Sequence, residues 1–210
     1  MEFLASKSSV YLAIILLFYQ ALGRVVADMD LTDDFFIPPD QNTTSLNGKY
    51  FTYTGLRGFK GQANTFASRK ATVKEFPALT SLGVSVMLLE FQPQAVNPPH
   101  THPRASELMY MLDGILDVAF VDSTGKLYSE TVRQGDLFVF PRGMVHHQFN
   151  NGTKVAKAVS SFGHPNPGTI NLPITLFGTQ IPNGVLKKSF KVDDQVIALL
   201  RSPYVKLITN

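Results

Sequence analysis

Four residues in two short segments have the types and spacing of a metal site. His100 and His102 are two residues apart, Glu107 follows five residues later, and His146 lies in a second segment. Side chains two apart on a strand share a face, so both histidines of the pair can point inward together. The chain has no cysteine, so a metal here must be held by imidazole and carboxylate groups. A single histidine is usually structural, but this combination predicts a metal centre.

The ligand set limits the chemistry of such a centre. Three neutral imidazoles and one carboxylate leave a divalent ion with a net charge of about +1. Room for further oxygen ligands suits manganese or iron and, less well, zinc; ligand softness alone does not choose between manganese and iron. A partly open, positively charged ion favours small anions such as superoxide or a dicarboxylate.

The residues around these ligands indicate antiparallel β-structure. Strand-length apolar runs separated by turn signals occupy residues 82–161, which favours a sandwich or a barrel. Asp113-Gly114 and Asn150-Asn151-Gly152 each separate two such runs and predict hairpins. A further hairpin is expected to return the carboxylate of Glu107 towards the same interior as the histidine pair.

The remaining segments divide the chain around this barrel. Residues 1–27 are predicted to be a secretory signal peptide, and residues 28–75 an irregular extension with an occasional edge strand. The barrel is predicted over residues 76–165. Short helices in residues 166–210 leave too little chain for a second core, so they must pack on the barrel or on another subunit.

The signal peptide is predicted from Lys7, an apolar run over residues 10–22 and a small-residue site ending at Ala27. That run is shorter than the ~18 residues of a typical membrane span, although an uncleaved anchor is the alternative. In a secreted protein the two sequons, at Asn42 and Asn151, are predicted to be glycosylation sites. The formal charge is +3 without any stripe of basic residues, so nothing favours nucleic acid as a partner.

Both ligand segments resemble the two motifs of plant germin-like proteins, which belong to the cupin superfamily. The first motif is Gly, five residues, His-x-His, four residues, Glu, six residues and Gly; the chain matches it through Gly114, with Gln94 in place of the first Gly. The second motif, Gly, five residues, Pro-x-Gly, two residues, His, three residues and Asn, is complete. Its residues are Gly135, Pro141, Gly143, His146 and Asn150. The resemblance runs from about residue 76 to residue 200.

The resemblance implies a mainly β fold, a cupin jelly-roll β-barrel with short C-terminal α-helices. In this family those helices clasp neighbouring subunits into a homohexamer, the ion is manganese, and the protein is an apoplastic glycoprotein. Family activities include oxalate oxidase and superoxide dismutase, with the hydrogen peroxide serving defence and cell-wall cross-linking. Many members have no settled activity.

Three departures from the family pattern bear on function. The N-terminal cysteine pair is missing, so the extension must be held without a disulfide. Oxalate oxidases of the family carry two Asn residues around the ion; Asn97 matches one, but Met87 stands in place of the other. A thioether cannot donate a hydrogen bond to a carboxylate, which disfavours oxalate oxidase. Third, His147 stands where the family usually has an aromatic residue, and it should face away from the ion because adjacent strand residues point in opposite directions. Apart from these departures, His164 lies in a Pro-rich turn and is interpreted as structural or exposed.

The sequence leaves competing functions open. One hypothesis is a manganese superoxide dismutase, in which Asn97 lies beside the ion or orients the substrate. Oxalate oxidase is disfavoured, and no phosphate-cradling loop supports a phosphodiesterase-like hydrolase. A different class is a non-enzymatic extracellular binding or cell-wall protein whose ion is structural, because one barrel supports many functions.

Overall fold

Alternating inward and outward side chains along ten strands build two antiparallel sheets in the part of the chain that the structure describes. The structure is a computed structural model, and it describes residues 34–62 and 65–208. The predicted signal peptide, residues 1–27, lies outside the described residues. Each sheet has five strands, in the order β1-β2-β9-β4-β7 in the first and β10-β3-β8-β5-β6 in the second. The two sheets enclose the interior of a jelly-roll barrel.

The strands are short, as the spacing of turn signals indicates. In chain order they are β1 (Phe66–Ala71), β2 (Ser85–Phe91), β3 (Val96–Thr101), β4 (Glu107–Asp113), β5 (Ile115–Val121), β6 (Leu127–Arg133), β7 (Leu137–Phe140), β8 (Val145–Phe149), β9 (Ala156–Phe162) and β10 (Ile170–Asn171).

The two predicted hairpins are wrong, because each turn links strands of different sheets. β4 pairs with β7 and β9, whereas β5 pairs with β6 and β8. Asp113-Gly114 therefore passes the chain from one sheet to the other. Gly114 has φ +78°, and a Cβ there would lie 2.8 Å from the Cα of Ala156. The sharp bend is encoded locally, but the pairing partners of each strand are not.

Glu107 reaches the interior by a different route from the predicted hairpin. β3 and β4 belong to different sheets, so the chain crosses the barrel between His102 and Glu107. Glu107 begins β4 and is buried, as are the alternate residues Met109 and Met111. The carboxylate therefore faces the histidines from the opposite sheet.

Apolar side chains fill the interior away from the ligand residues. The fully buried members of this core include Phe91, Met109, Met111, Leu116 and Phe140. Burial of each such side chain stabilises the fold by roughly 2 kcal/mol. This core fixes the strands that carry the four candidate ligands.

β1 lies within the range 28–75, where the sequence indicates irregular structure with an occasional edge strand. It is an edge strand, and it adds to the first sheet by pairing with β2. Residues 49–53 form turns and irregular structure. The first sheet therefore includes residues that precede residue 76, the predicted start of the barrel.

Aromatic and hydrogen-bonding contacts hold the cysteine-free extension. Tyr53 stacks on Phe76 with ring centroids 5.5 Å apart, and the Tyr50 hydroxyl donates to the carbonyl of Phe36 at 2.9 Å. The amide of Gly61 donates to the buried carboxylate of Glu90 at 3.0 Å. These contacts connect the extension to β2 and to the turn after β1 without a covalent link.

Four short helices follow the last barrel strands. They are α1 (Leu172–Phe177), α2 (Asn183–Phe190), α3 (Asp194–Arg201) and α4 (Val205–Ile208). Asp193 caps α3 by accepting from the amide of Val196 at 3.0 Å. No described helix has the length and apolar character needed to cross a membrane.

Candidate metal centre

The structure brings all four predicted ligand residues together inside the barrel. His100 and His146 are register partners on β3 and β8, His102 follows β3, and Glu107 begins β4. One potential ligand atom from each residue lies within 4.8 Å of the others. All four residues are at most 3% exposed. The geometry is that of a buried group of three imidazoles and one carboxylate that could hold a metal ion.

Backbone carbonyls fix the orientation of each imidazole. Nδ1 of His100 lies 2.8 Å from the carbonyl of Pro98, and Nδ1 of His146 lies 2.8 Å from the carbonyl of Met144. Nδ1 of His102 is similarly bonded to the carbonyl of Gly168. A carbonyl only accepts, so each Nδ1 must carry the proton. In a neutral ring this leaves the Nε2 lone pair free for a metal, as in most histidine-metal sites.

One carboxylate oxygen of Glu107 accepts hydrogen bonds, and the other faces two of the imidazoles. Its Oε1 accepts from the hydroxyl of Ser160 at 2.6 Å and from Nε2 of Gln148 at 3.4 Å. Its Oε2 lies 3.0 Å from Nε2 of His102 and 3.3 Å from Nε2 of His146. Burial alone would raise the pKa of Glu107, but a proton on Nε2 of His102 or His146 would be donated to Oε2, and this hydrogen bonding and charge outweigh burial and lower the pKa. The carboxylate is therefore ionised at physiological pH.

The donor set fits a divalent cation. Oε2 of Glu107 and the Nε2 atoms converge among buried side chains, and in the neutral rings their lone pairs repel unless a proton or a metal cation lies among them. Burial, followed by the nearby imidazole of His146, lowers the pKa of His100 to about 4, so this ring is neutral and ready to ligate. A cation among these atoms removes the repulsion.

A cavity of about 190 Å³ adjoins this group. Its lining residues come from both sheets and from the segment before α1: Phe66, Ser68, Met87, Leu89, Asn97, His100, His102, Glu107, Thr169 and Asn171. Asn97 and Met87, singled out from the sequence, thus both line the cavity beside the candidate ligands. The Asn97 amide donates to Oε1 of Gln148 at 2.7 Å.

Sequence reasoning missed two buried residues that hold Glu107. Gln148 lies two residues after His146 on β8, so strand alternation already places it on the same inner face. It links Asn97 to Glu107 through hydrogen bonds at both ends of its amide. Ser160 lies on β9, and its contact with Glu107 follows only from the β4–β9 pairing. No local signal marks it.

The motif residues around the ligands have conformational roles. Gln94 has φ +63°, so it adopts the left-handed conformation for which the family motif has glycine. Gly135 and Gly143 also have positive φ, at the turns before β7 and β8. Asn150 is fully buried and donates to the carbonyls of Phe91, Gln92 and Lys154, so it ties the end of β8 to β2 and to the start of β9.

The other predicted positions lie outside the ligand group. His147 lines an open depression on the outer face of the second sheet, together with Asp117 and Thr131. Nδ1 of His164 accepts from the amide of Asn166 at 2.9 Å. Asn42 and Asn151, the two sequon residues, are both exposed, and Asn42 caps the 3₁₀ helix Thr43–Ser45.

Comparisons with known proteins agree with this geometry. The model of the family described as Cupin matches residues 59–198. Germin-like protein 9-3 of Oryza sativa subsp. japonica is 43% identical over 205 residues, which cover 93% of this chain and 95% of the relative. The rhicadhesin receptor of Pisum sativum is 37% identical over 183 residues, covering 85% of this chain and 82% of the relative.

A solved structure of an oxalate oxidase superposes with a TM-score of 0.80 at 35% identity, covering 86% of this chain and 99% of that structure. The fold is therefore a cupin jelly-roll with few short helices. Within the cupins, the chain belongs to the germin-like proteins.

Proposed function

We propose that this chain is a secreted manganese-dependent germin-like protein that disproportionates superoxide in the plant apoplast. The observation that carries the proposal is the buried group of three imidazoles and one carboxylate beside a small cavity. Its mixed nitrogen and oxygen donors suit manganese.

In the proposed reaction two superoxide anions and two protons give dioxygen and hydrogen peroxide. Bound manganese would supply a redox couple that accepts one electron and returns it. The protein supplies an anion-sized cavity, imidazoles fixed by backbone carbonyls, and a carboxylate held by Ser160. Asn97 is in position to orient a small anion, because an amide nitrogen has a second N–H besides the one donated to Gln148.

The cavity argues against oxalate oxidation despite the similar fold of the oxalate oxidase structure. Met87 lines the cavity and offers no hydrogen-bond donor to a second carboxylate. Within the described residues, no lysine or arginine side chain lines this cavity either. We therefore propose that the chain lacks oxalate oxidase activity.

Secretion, glycosylation and assembly into a hexamer complete the proposal. Apolar side chains on the last helices are exposed to solvent in the single chain: Val185, Phe190, Leu199, Val205 and Leu207. Burial of such a surface against neighbouring subunits would stabilise an oligomer. The exposed sequon residues Asn42 and Asn151 can carry glycans.

The test is to express the full chain in plant cells, purify it from the apoplastic fluid and measure its metal content with its consumption of superoxide and oxalate. His102→Ala should lose the metal and the superoxide activity together. The matched control is His147→Ala, which removes the imidazole on the outer face of the barrel and should keep both. Oxalate turnover by the wild type would contradict the inference from Met87.

The alternative is an extracellular binding protein without enzymatic activity. The similarity to the pea rhicadhesin receptor favours this second candidate. Two results together would support the alternative. The purified metal-loaded wild type would consume neither superoxide nor oxalate, and wild type and His102→Ala would bind a wall or surface component with equal affinity.

A further inference from the structure

The cavity beside the candidate metal centre has two chemically different walls. The first sheet contributes apolar side chains, Phe66 from β1 and Met87 and Leu89 from β2, with Ser68 exposed at the rim. Across the cavity, the β3 and β10 region contributes three hydrogen-bonding side chains, Asn97, Thr169 and Asn171. A ligand that satisfies both walls must itself be polar on one side and apolar on the other.

Charge limits the polar end of that ligand to one anionic group. The candidate ligand residues with a divalent ion carry a net charge of about +1, which a single carboxylate neutralises. A second carboxylate would lie against Met87 and Leu89, which offer no hydrogen-bond donor to replace its water shell; the one hydroxyl of this wall, that of Ser68, is at the solvent-exposed rim. Such a dianion would be penalised at the wall formed by the first sheet.

Size limits the apolar end. The cavity volume of about 190 Å³ is of the same order as the ~150 Å³ of an engineered protein cavity that holds one benzene molecule. That space suits a compact aliphatic group and excludes a large ring system.

We infer that this cavity binds a small monocarboxylate that carries a compact apolar substituent. The inference rests on the proposed metal site, and it names the ligand class of that site. The carboxylate faces the ligand group and Asn97, and the substituent packs against Phe66, Met87 and Leu89. Met87 is then the residue that selects an apolar group over a second carboxylate.

The test compares isobutyrate with oxalate, which have the same number of non-hydrogen atoms but differ in charge at one end. Calorimetric titrations are made on the manganese-loaded wild type and on Met87→Leu and Met87→Asn. Because oxalate chelates manganese, the metal content of the protein is measured before and after each titration. The wild type and Met87→Leu should bind isobutyrate about tenfold more tightly than oxalate, and Met87→Asn should lose or reverse this preference.

Two results would overturn the inference. Wild-type protein that binds oxalate at least as tightly as isobutyrate, or that binds neither, contradicts the ligand class. An unchanged preference in Met87→Asn contradicts the selecting role of Met87. Superoxide consumption is measured on the same samples. A protein that lacks the carboxylate preference but consumes superoxide contradicts this inference alone, whereas a protein that does not consume superoxide contradicts the proposed reaction.

Discussion

The interior of the barrel has two halves of opposite chemistry, and a single strand spans both. Along β4, Glu107, Met109 and Met111 face the same interior and are at most 2% exposed. Glu107 joins the three imidazoles, whereas the two methionines join the apolar core. Strand alternation determines which residues face inward, and residue type decides what each half does. Substitutions in the apolar half should therefore lower mainly the free energy of unfolding, and substitutions in the polar half should lower mainly the affinity for the metal.

The comparison predicts its largest effect in the apolar half. Leu116→Ala removes a fully buried side chain from the core and should lower the free energy of unfolding of the metal-free protein by about 2–5 kcal/mol. The measurement is denaturant unfolding of the metal-free variant. Metal content per folded protein should stay at the wild-type level, because Leu116 lies outside the ligand group. Loss of metal from a folded Leu116→Ala protein would contradict the division of roles.

Acid should destabilise the polar half. The pKa of His100 is lowered from 6.5 to about 4, so below pH ~6.5 the unfolded chain binds a proton that the folded chain does not. Stability contributed by this neutral ring is complete above pH ~6.5 and is lost as the pH falls towards 4. The lowered pKa of Glu107 acts in the same direction at lower pH. The titration of His100 therefore predicts a decrease in the free energy of unfolding between pH ~6.5 and ~4, and that of Glu107 extends the decrease to lower pH.

The measurement is the free energy of unfolding of the metal-free protein against pH. His147→Gln is the control, and its curve should follow the wild type because His147 lies on the outer face of the barrel. His100→Asn removes the titrating group and should flatten the curve between pH ~6.5 and ~4. A curve for His100→Asn as steep as that of the wild type would assign the acid sensitivity to other groups.

Ser160 should affect metal affinity more than stability. Its hydroxyl donates to Oε1 of Glu107 at 2.6 Å, so Ser160→Ala frees the carboxylate to rotate. Loss of such a partner of a metal-ligating group typically costs 10–100-fold in metal affinity, and about that loss is expected here. Metal titration of the apoprotein measures it, and the manganese electron paramagnetic resonance spectrum reports changed coordination. Ser161→Ala, whose side chain is exposed on the same strand, is the matched control.

The candidate ligands were predictable from the sequence because their signal is local. His100 and His102 share a face at strand spacing, and the same alternation on β8 separates His146 from His147. The strand pairing was not predictable in this way. Asp113-Gly114 has the residues of a tight turn, but whether the chain turns back or passes to the other sheet depends on distant partners. Ser160 illustrates the consequence, because only β4–β9 pairing brings it to Glu107.

The smallest effect should lie outside both halves, in the extension that lacks the family's cysteine pair. Tyr53 stacks on Phe76, and Tyr53→Ala removes this contact at a cost of about 1 kcal/mol beyond the lost buried area. Limited proteolysis should cut the extension faster in the variant, whereas metal content and the unfolding of the barrel should stay close to the wild type. The neighbouring exposed Thr54→Ala is the control. If Tyr53→Ala instead lowers metal content, the extension supports the polar half of the barrel. Metal binding would then depend on the extension as well as on the residues inside the barrel.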